Sequence, residues 1–266
     1  MRVVVHLSDL HFGRVDHRLL DPLARRVRAV QPHLVVVSGD LTQRAKSAQF
    51  RDARRFLDTL PRPQLVVPGN HDVPLYNVFQ RFFQPLVKFR RHISRELEPE
   101  FVDAEIAAVG VNTARSAVFK GGRINTLQME RVRQRLCKLP EPVKIVVTHH
   151  PFDLPEGHDA RQLVGRAREA MAMFANCGAD ILLAGHLHAS HTGDTATRYK
   201  IDHFAALVVQ AGTATSVRVR GEANSFNVLR IERPRVRIER YDWTGADFSV
   251  ASAETFTRTS GGWQRA

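Results

Sequence analysis

The stretch VVVHLSDLH, residues 3–11, decides how the chain is read. Val3, Val4, Val5 and Leu7 are apolar on both faces of an extended chain, as in a strand covered on both sides. Ser8, Asp9, Leu10 and His11 follow at once, with two metal-competent side chains just past the strand. The same arrangement recurs along the chain. Residues 34–37 run into Ser38-Gly39-Asp40, and residues 65–67 into Pro68-Gly69-Asn70-His71-Asp72. Residues 144–148 lead to His149-His150, and residues 181–184 to Gly185-His186-Leu187-His188. Residues 107–111 and 207–210 are further apolar runs. Helical spacing separates the early runs: Leu19, Leu20, Leu23, Val27 and Val30, then Phe50, Ala53, Phe56, Leu57 and Leu60. Met129, Val132, Leu136 and Leu139 repeat it, as do residues 167–174. Strands alternating with helices predict an α/β protein. Ligands of open α/β sheets bind beyond the carboxyl ends of the strands. Five strand ends therefore bring Asp, Asn and His to one rim.

After Ala189 the pattern turns to short strands, at 195–201, 205–209, 224–231 and 236–241, the last two closing as a hairpin at Arg233-Pro234. Arg218, Arg220, Arg230, Arg233, Arg235, Arg237 and Arg240 read as a solvated strand face. Past Thr244 apolar groups thin out. The expectation is one domain over residues 1–243 and a loosely ordered tail over 244–266.

Composition narrows the classes. Of 266 residues, 43% are hydrophobic and 25% charged, which excludes a mostly disordered chain. No run approaches the roughly 18 apolar residues of a membrane span. His6 and Asp9 interrupt the N-terminal run, so no signal peptide is expected. Cys137 and Cys177 have no CxxC spacing, so neither a disulfide framework nor a thiolate zinc site is expected, and a reducing, cytoplasmic setting fits. The net charge of +12 points to an anionic partner: a substrate, a nucleic acid or an anionic membrane surface.

Imidazole, carboxylate and amide oxygen without thiolate suit Mn, Fe, Zn or Co. Two such ions sit roughly 3.5–4 Å apart, and one carboxylate must bridge them.

The order DLH, GD, GNHD, THHP, GHLH resembles the calcineurin-like metallophosphoesterases from about residue 3 to residue 188. Gly110-Val111-Asn112-Thr113, Gly121-Gly122-Arg123-Ile124 and Gln128 are similar to a segment of the class III cyclic nucleotide phosphodiesterases. The resemblance implies a four-layer fold, two mixed β-sheets packed as a sandwich and flanked by helices. It also implies a ligand set: Asp9, His11, Asp40 and His188 for one metal, and Asp40, Asn70, His149 and His186 for the other. Asp40 bridges, and Mn and Fe are the favoured metals. A metal-bridging hydroxide is then the expected nucleophile, and His71, which binds no metal, faces the phosphate and the leaving oxygen. Asn70, His71, Asn112, Arg115 and His191 are the expected substrate contacts. The expected reaction is hydrolysis of a 3′,5′-cyclic nucleotide, cAMP. The alternatives are the same chemistry on a lipid-linked pyrophosphate of the UDP-diacylglucosamine type, or on a nucleic acid. A metal-bearing scaffold without turnover is the non-enzymatic alternative, and the intact His71 counts against it.

The remaining histidines have plainer readings. His6 is a packed strand residue, and alternation points His150 away from its neighbour. His17, His33, His92, His158 and His203 are surface or capping residues. Residues 76–95 interleave Tyr76, Phe79, Phe82, Phe83 and Phe89 with Arg81, Lys88, Arg90, Arg91 and Arg95. They read as an amphipathic helix packed on the core and kinked or divided at Pro85. The functional alternatives are a lip that stacks a base, a membrane contact or a homodimer contact.

Overall fold

The structure, a computed structural model, describes residues 1–117, 121–139, 142–217, 221–260 and 262–266. Arg218 and Arg220 lie outside the described residues. The strands are β1 (Arg2–Leu7), β2 (Leu34–Ser38), β3 (Gln64–Val67), β4 (Glu100–Val102), β5 (Ile106–Gly110), β6 (Val143–Val147), β7 (Ile181–Ala184), β8 (His191–Asp194), β9 (Leu207–Gln210), β10 (Ser225–Glu232), β11 (Arg235–Trp243), β12 (Phe248–Thr259) and β13 (Gly262–Arg265). The helices are α1 (Leu20–Val30), α2 (Ser47–Asp58), α3 (Val78–Phe83), α4 (Val87–His92), α5 (Thr126–Leu136), α6 (Ala167–Cys177) and the short α7 (Ala196–Tyr199).

The strands form two mixed sheets, ordered β13-β12-β11-β10-β1-β2-β3 and β4-β5-β6-β7-β9-β8. Side-chain alternation explains why the apolar runs are unbroken. Val3, Val5 and Leu7 pack with Leu23 of α1 and Phe50 of α2, while Val4 joins Ile145 and Leu183 between the sheets. On the far side, Val146 and Leu182 meet Val132 of α5 and Phe174 of α6. The result is the four-layer sandwich that the motif order implies. Each buried Val or Leu contributes roughly 1.5–3 kcal/mol, so the middle layer clamps the two sheets together. β1, β2 and β3 run parallel, as do β5, β6, β7 and β9. Their polar-tipped ends therefore converge on one rim.

Three expectations are corrected. Residues 244–266 are not a loose tail. β12 pairs antiparallel with β11 and β13 with β12, and Phe248, Phe256 and Trp263 are buried. The ladder is made by backbone groups and needs few apolar side chains, so composition hides it. Residues 195–201 hold α7 rather than a strand, and the strand lies earlier, as β8. Cys137 and Cys177 form a disulfide, with Cα atoms 4.2 Å apart. They sit 40 residues apart in sequence but together at the ends of α5 and α6. The pair gives no support to the reducing setting read from cysteine spacing. Among the described residues, no helix is long and apolar enough to cross a membrane.

Candidate metal centre

Each motif turns at once after its strand, and the turns are conformationally strained. Asp9, His11, Asp40, His186 and His188 all have positive φ, between 50° and 75°. Non-glycine residues rarely adopt this region, and such strain collects at sites that the surrounding structure over-determines. Gly39, at φ +90°, lets β2 turn where a Cβ would come within 2.6 Å of His149 Nδ1. A Cβ at Gly69 would collide with the Asp40 side chain.

Asp9, His11, Asp40 and His188 converge, with one ligand atom from each lying within 4.8 Å of the others, and all four are buried. The Asp9 carboxylate is aimed by its neighbours. Its Oδ2 accepts from the Ser8 hydroxyl at 2.6 Å and from the His186 N–H at 3.0 Å. Its Oδ1 has no hydrogen-bond partner and looks at Nε2 of His188 and His11, at 3.2 and 3.4 Å. Two imidazole Nε2 atoms, of His11 and His188, stand 3.2 Å apart beside it. A buried carboxylate oxygen facing two imidazole nitrogens fits a divalent cation.

A second group adjoins the first. His149 Nε2 lies 3.1 Å from Asn70 Oδ1 and 3.3 Å from His186 Nδ1, and its Nδ1 donates to the Ser38 carbonyl at 2.8 Å, which fixes the tautomer. Asp40 stands between the groups. Its Oδ1 is 3.4 Å from His149 Nε2, and its Oδ2 is 3.8 Å from His11 Nε2.

The electrostatics follow from this packing. Burial raises the cost of charge on Asp9 and Asp40, yet the surrounding histidines hold both carboxyls well below the usual range. Burial opposes protonation of His149, but Asp40 and Asp9 overcome it and raise the imidazole to about 9. His186 falls to about 4 through burial and the neighbouring His149. The pocket therefore carries excess negative charge that protons occupy when a cation does not.

His71 sits in the turn after β3, half-buried. Its backbone N–H donates to Asp40 Oδ1 at 2.8 Å, and its Nδ1–H donates to the Gln43 carbonyl at 2.9 Å. Its ring stands edge-on to His11, with centroids 4.9 Å apart. Asp72 ties the turns together, accepting from the N–H groups of Gly69, Thr42 and Leu41. Burial and the nearby Asp40 raise the Asp72 carboxyl to about 6.

The remaining expected site residues divide. Asn70 and His71 lie at the centre. Asn112 and Arg115 line a neighbouring cavity of about 490 Å³ that begins at Val73, two residues past His71. Arg115 is committed to structure: Nη1 donates to the carbonyls of Asn112 and Ala114, and Nη2 pairs with Gln128. Gln128 also closes the capping box of α5 with Asn125. His191 opens β8 and lines a cavity of about 90 Å³ with Asn227, Arg240 and Glu254.

His150 goes the other way. It is buried beside His149 and His186, with ring centroids 4.8 and 4.7 Å away, and its Nδ1 bonds Thr113 Oγ1 at 2.8 Å. It lies past the end of β6, where strand alternation no longer applies, so that rule misplaced it. Gln43 and Ser8 were missed as well, and for Ser8 the signal was its place directly before Asp9. His6 is a packed strand residue as expected, bonded to Ser38 Oγ at 2.8 Å, with burial pressing its pKa to about 3.

Comparison with known proteins agrees with this geometry. The chain is 24% identical over 204 residues to the 3′,5′-cyclic adenosine monophosphate phosphodiesterase CpdA of Escherichia coli K12, covering 70% of this chain and 69% of that one. It is 26% identical over 205 residues to a probable glycerophosphodiester phosphodiesterase GpdQ of Arcobacter nitrofigilis, covering 70% and 71%. The solved structure of PhoD superposes with a TM-score of 0.75 at 9% identity, covering all of this chain and 71% of that one, which supports the fold. The profile of the calcineurin-like phosphoesterases matches residues 2–190. With that match and the donor groups at the strand ends, the chain belongs to the calcineurin-like phosphoesterase family and is a metallophosphoesterase.

Proposed function

We propose that the chain hydrolyses phosphodiesters at a pair of divalent cations, with a 3′,5′-cyclic nucleotide, cAMP, as its substrate. The observation that carries the reading is Asp40, one carboxylate facing both donor groups. Asp9, His11 and His188 would complete one site, and Asn70, His149 and His186 the other, with Mn and Fe the best-suited ions. Cations held there supply Lewis acidity for the phosphoryl oxygens and an acidified water.

The chain's own residues do the rest. Ser8 and Ser38 orient Asp9 and His149. Asp72 locks the turn that carries Asn70 and His71. With Nδ1–H given to Gln43, His71 Nε2 is the atom that exchanges a proton with the leaving oxygen. The cavity beyond Val73 receives the part of the substrate beyond the phosphorus. CpdA, matched over 70% of this chain, supports the cyclic nucleotide. Glycerophosphodiesters are the second reading, favoured by the likeness to GpdQ.

The test is turnover of cAMP, glycerophosphocholine and bis(p-nitrophenyl) phosphate by Mn-loaded protein, with Asn70→Ala as control. The reading expects the highest kcat/KM on cAMP, lost in the control. A highest value on glycerophosphocholine moves the substrate to the second reading. No turnover of any of the three, with two metals bound per chain, overturns the phosphodiesterase reading.

A further inference from the structure

The helix α3 is built inside out. Its one buried residue is Arg81, 3% exposed. The guanidinium reaches inward, Nε donating to the Ser116 carbonyl at 2.7 Å and Nη1 to the Pro74 carbonyl at 3.0 Å. The apolar residues face out. Tyr76, Val78, Phe79, Phe82, Phe83 and Val87 are between 39% and 78% exposed. Phe79 and Phe83 pack on each other at the surface, ring centroids 4.8 Å apart. Single exposed apolar residues need no explanation, but six on one short segment do. Hydrophobic burial alone would turn α3 over; the Arg81 anchor holds it with the rings in solvent. The neighbouring α4 is ordinary by contrast, with Phe89 fully buried in the core.

Charge identifies what would cover this face. Residues 73–95 contain no Asp or Glu. Arg90, Arg91 and Arg95 are exposed, and the Arg44 guanidinium lies 5.8 Å from the centre of the Tyr76 ring. We propose that the aromatic face of α3, rimmed by Arg44, Arg90, Arg91 and Arg95, docks on an anionic lipid surface. Aromatic rings favour the headgroup level of a bilayer, and arginines beside them attract anionic lipids. A second copy of the chain would oppose arginines to arginines across a two-fold axis, which is repulsive. A nucleic acid would use the arginines and rings but gain little from Val78 and Val87. The face is continuous with the cavity beside the metal centre, since Phe83, Val87 and Arg90 also line it. Docking would set the mouth of that cavity at the headgroup layer. The proposal stands whether or not cAMP is the substrate.

Flotation of the full chain with vesicles tests it, using phosphatidylcholine alone and an equimolar mixture with phosphatidylglycerol. The wild type floats with the mixed vesicles and far less with phosphatidylcholine. Phe79→Ser/Phe82→Ser lowers the partition by roughly tenfold or more, because two rings no longer leave water. Arg91→Glu/Arg95→Glu lowers it by about fivefold or more per residue, and added salt weakens the wild type in the same direction. All four positions are exposed, so both variants keep the wild-type melting temperature, a control that does not depend on turnover. Failure of the wild type to bind either vesicle overturns the proposal, as does wild-type binding by both variants. A dimer in light scattering that Phe79→Ser/Phe82→Ser dissociates, without vesicle uptake, assigns the face to a second copy and overturns it too.

Discussion

At the ends of β1 and β2 the ionisable side chains of Asp9, His11 and Asp40 are buried; on α3 the exposed side chains are apolar and the buried one is an arginine. Both regions invert the usual distribution of polarity, and they differ in what compensates the inversion. At the rim, opposite charges compensate each other within the chain: histidines hold the carboxylates ionised, and the carboxylates raise His149 to about 9. On α3, the Pro74 and Ser116 carbonyls accept from Arg81, but among the described residues nothing covers the rings, which stay exposed. The first inversion is complete within the fold, apart from the cations its donors suit. The second is complete only against a partner. A buried polar cluster thus points inward to chemistry, and an exposed apolar one points outward to a surface.

The comparison breaks most sharply at Asp40. Asp40→Ala leaves both donor groups without their shared carboxylate, and we expect both metals and all activity to be lost, read by metal analysis alongside turnover. Retention of two metals by this variant would remove Asp40 from the bridging position. His71→Ala tests the proposed division between metal ligands and a proton-donating His71. Metal content stays at the wild-type level while kcat falls by roughly 10²–10⁴-fold. Loss of metal in this variant would make His71 a ligand instead.

A third measurement sharpens the electrostatic half of the comparison. His149 must be neutral to bind a cation, yet it is protonated in the metal-free protein below about pH 9. Metal binding at neutral pH should therefore release a proton, and affinity should rise by about tenfold per pH unit until pH approaches 9. Calorimetry in buffers of different ionisation enthalpy counts that proton; none released would mean that His149 is neutral beforehand.

The smallest effect concerns the other inversion. Arg81→Leu leaves the Pro74 and Ser116 carbonyls without their guanidinium, at a cost of about 1–3 kcal/mol. Chemical denaturation reads that loss. With the anchor gone, α3 is free to turn its rings inward, so binding of a hydrophobic dye should fall relative to the wild type. Unchanged stability and dye binding would show that Arg81 does not hold the helix.

Much of the site was legible before any fold was known. A short apolar strand followed at once by Asp, Asn or His is a local pattern; it singles out Asp9, Asp40, Asn70, His149 and His188, and the structure brings these side chains together. His150 was misjudged because alternation was extended past the end of β6, where the chain leaves the ladder. Arg115 is an expected substrate contact, and its guanidinium bonds the Asn112 and Ala114 carbonyls and Gln128. Type alone did not reveal that commitment. By its sequence the segment 76–95 is an amphipathic helix packed on the core and kinked or divided at Pro85. Pro85 does divide it, and α4 packs through Phe89, but α3 does not, because Arg81 outcompetes the rings for the inside.

By itself the sequence determined the alternation of strands and helices, the polar residues at the strand ends and the excess of positive charge. All three are set by neighbours within a few residues, or by composition. Tertiary structure alone decided the pairing of β12 and β13, the meeting of Cys137 with Cys177, the inward turn of His150 and the outward face of α3. Each of these depends on groups distant in sequence, on backbone ladders that carry no side-chain signature, or on which of two competing side chains finds its partner inside.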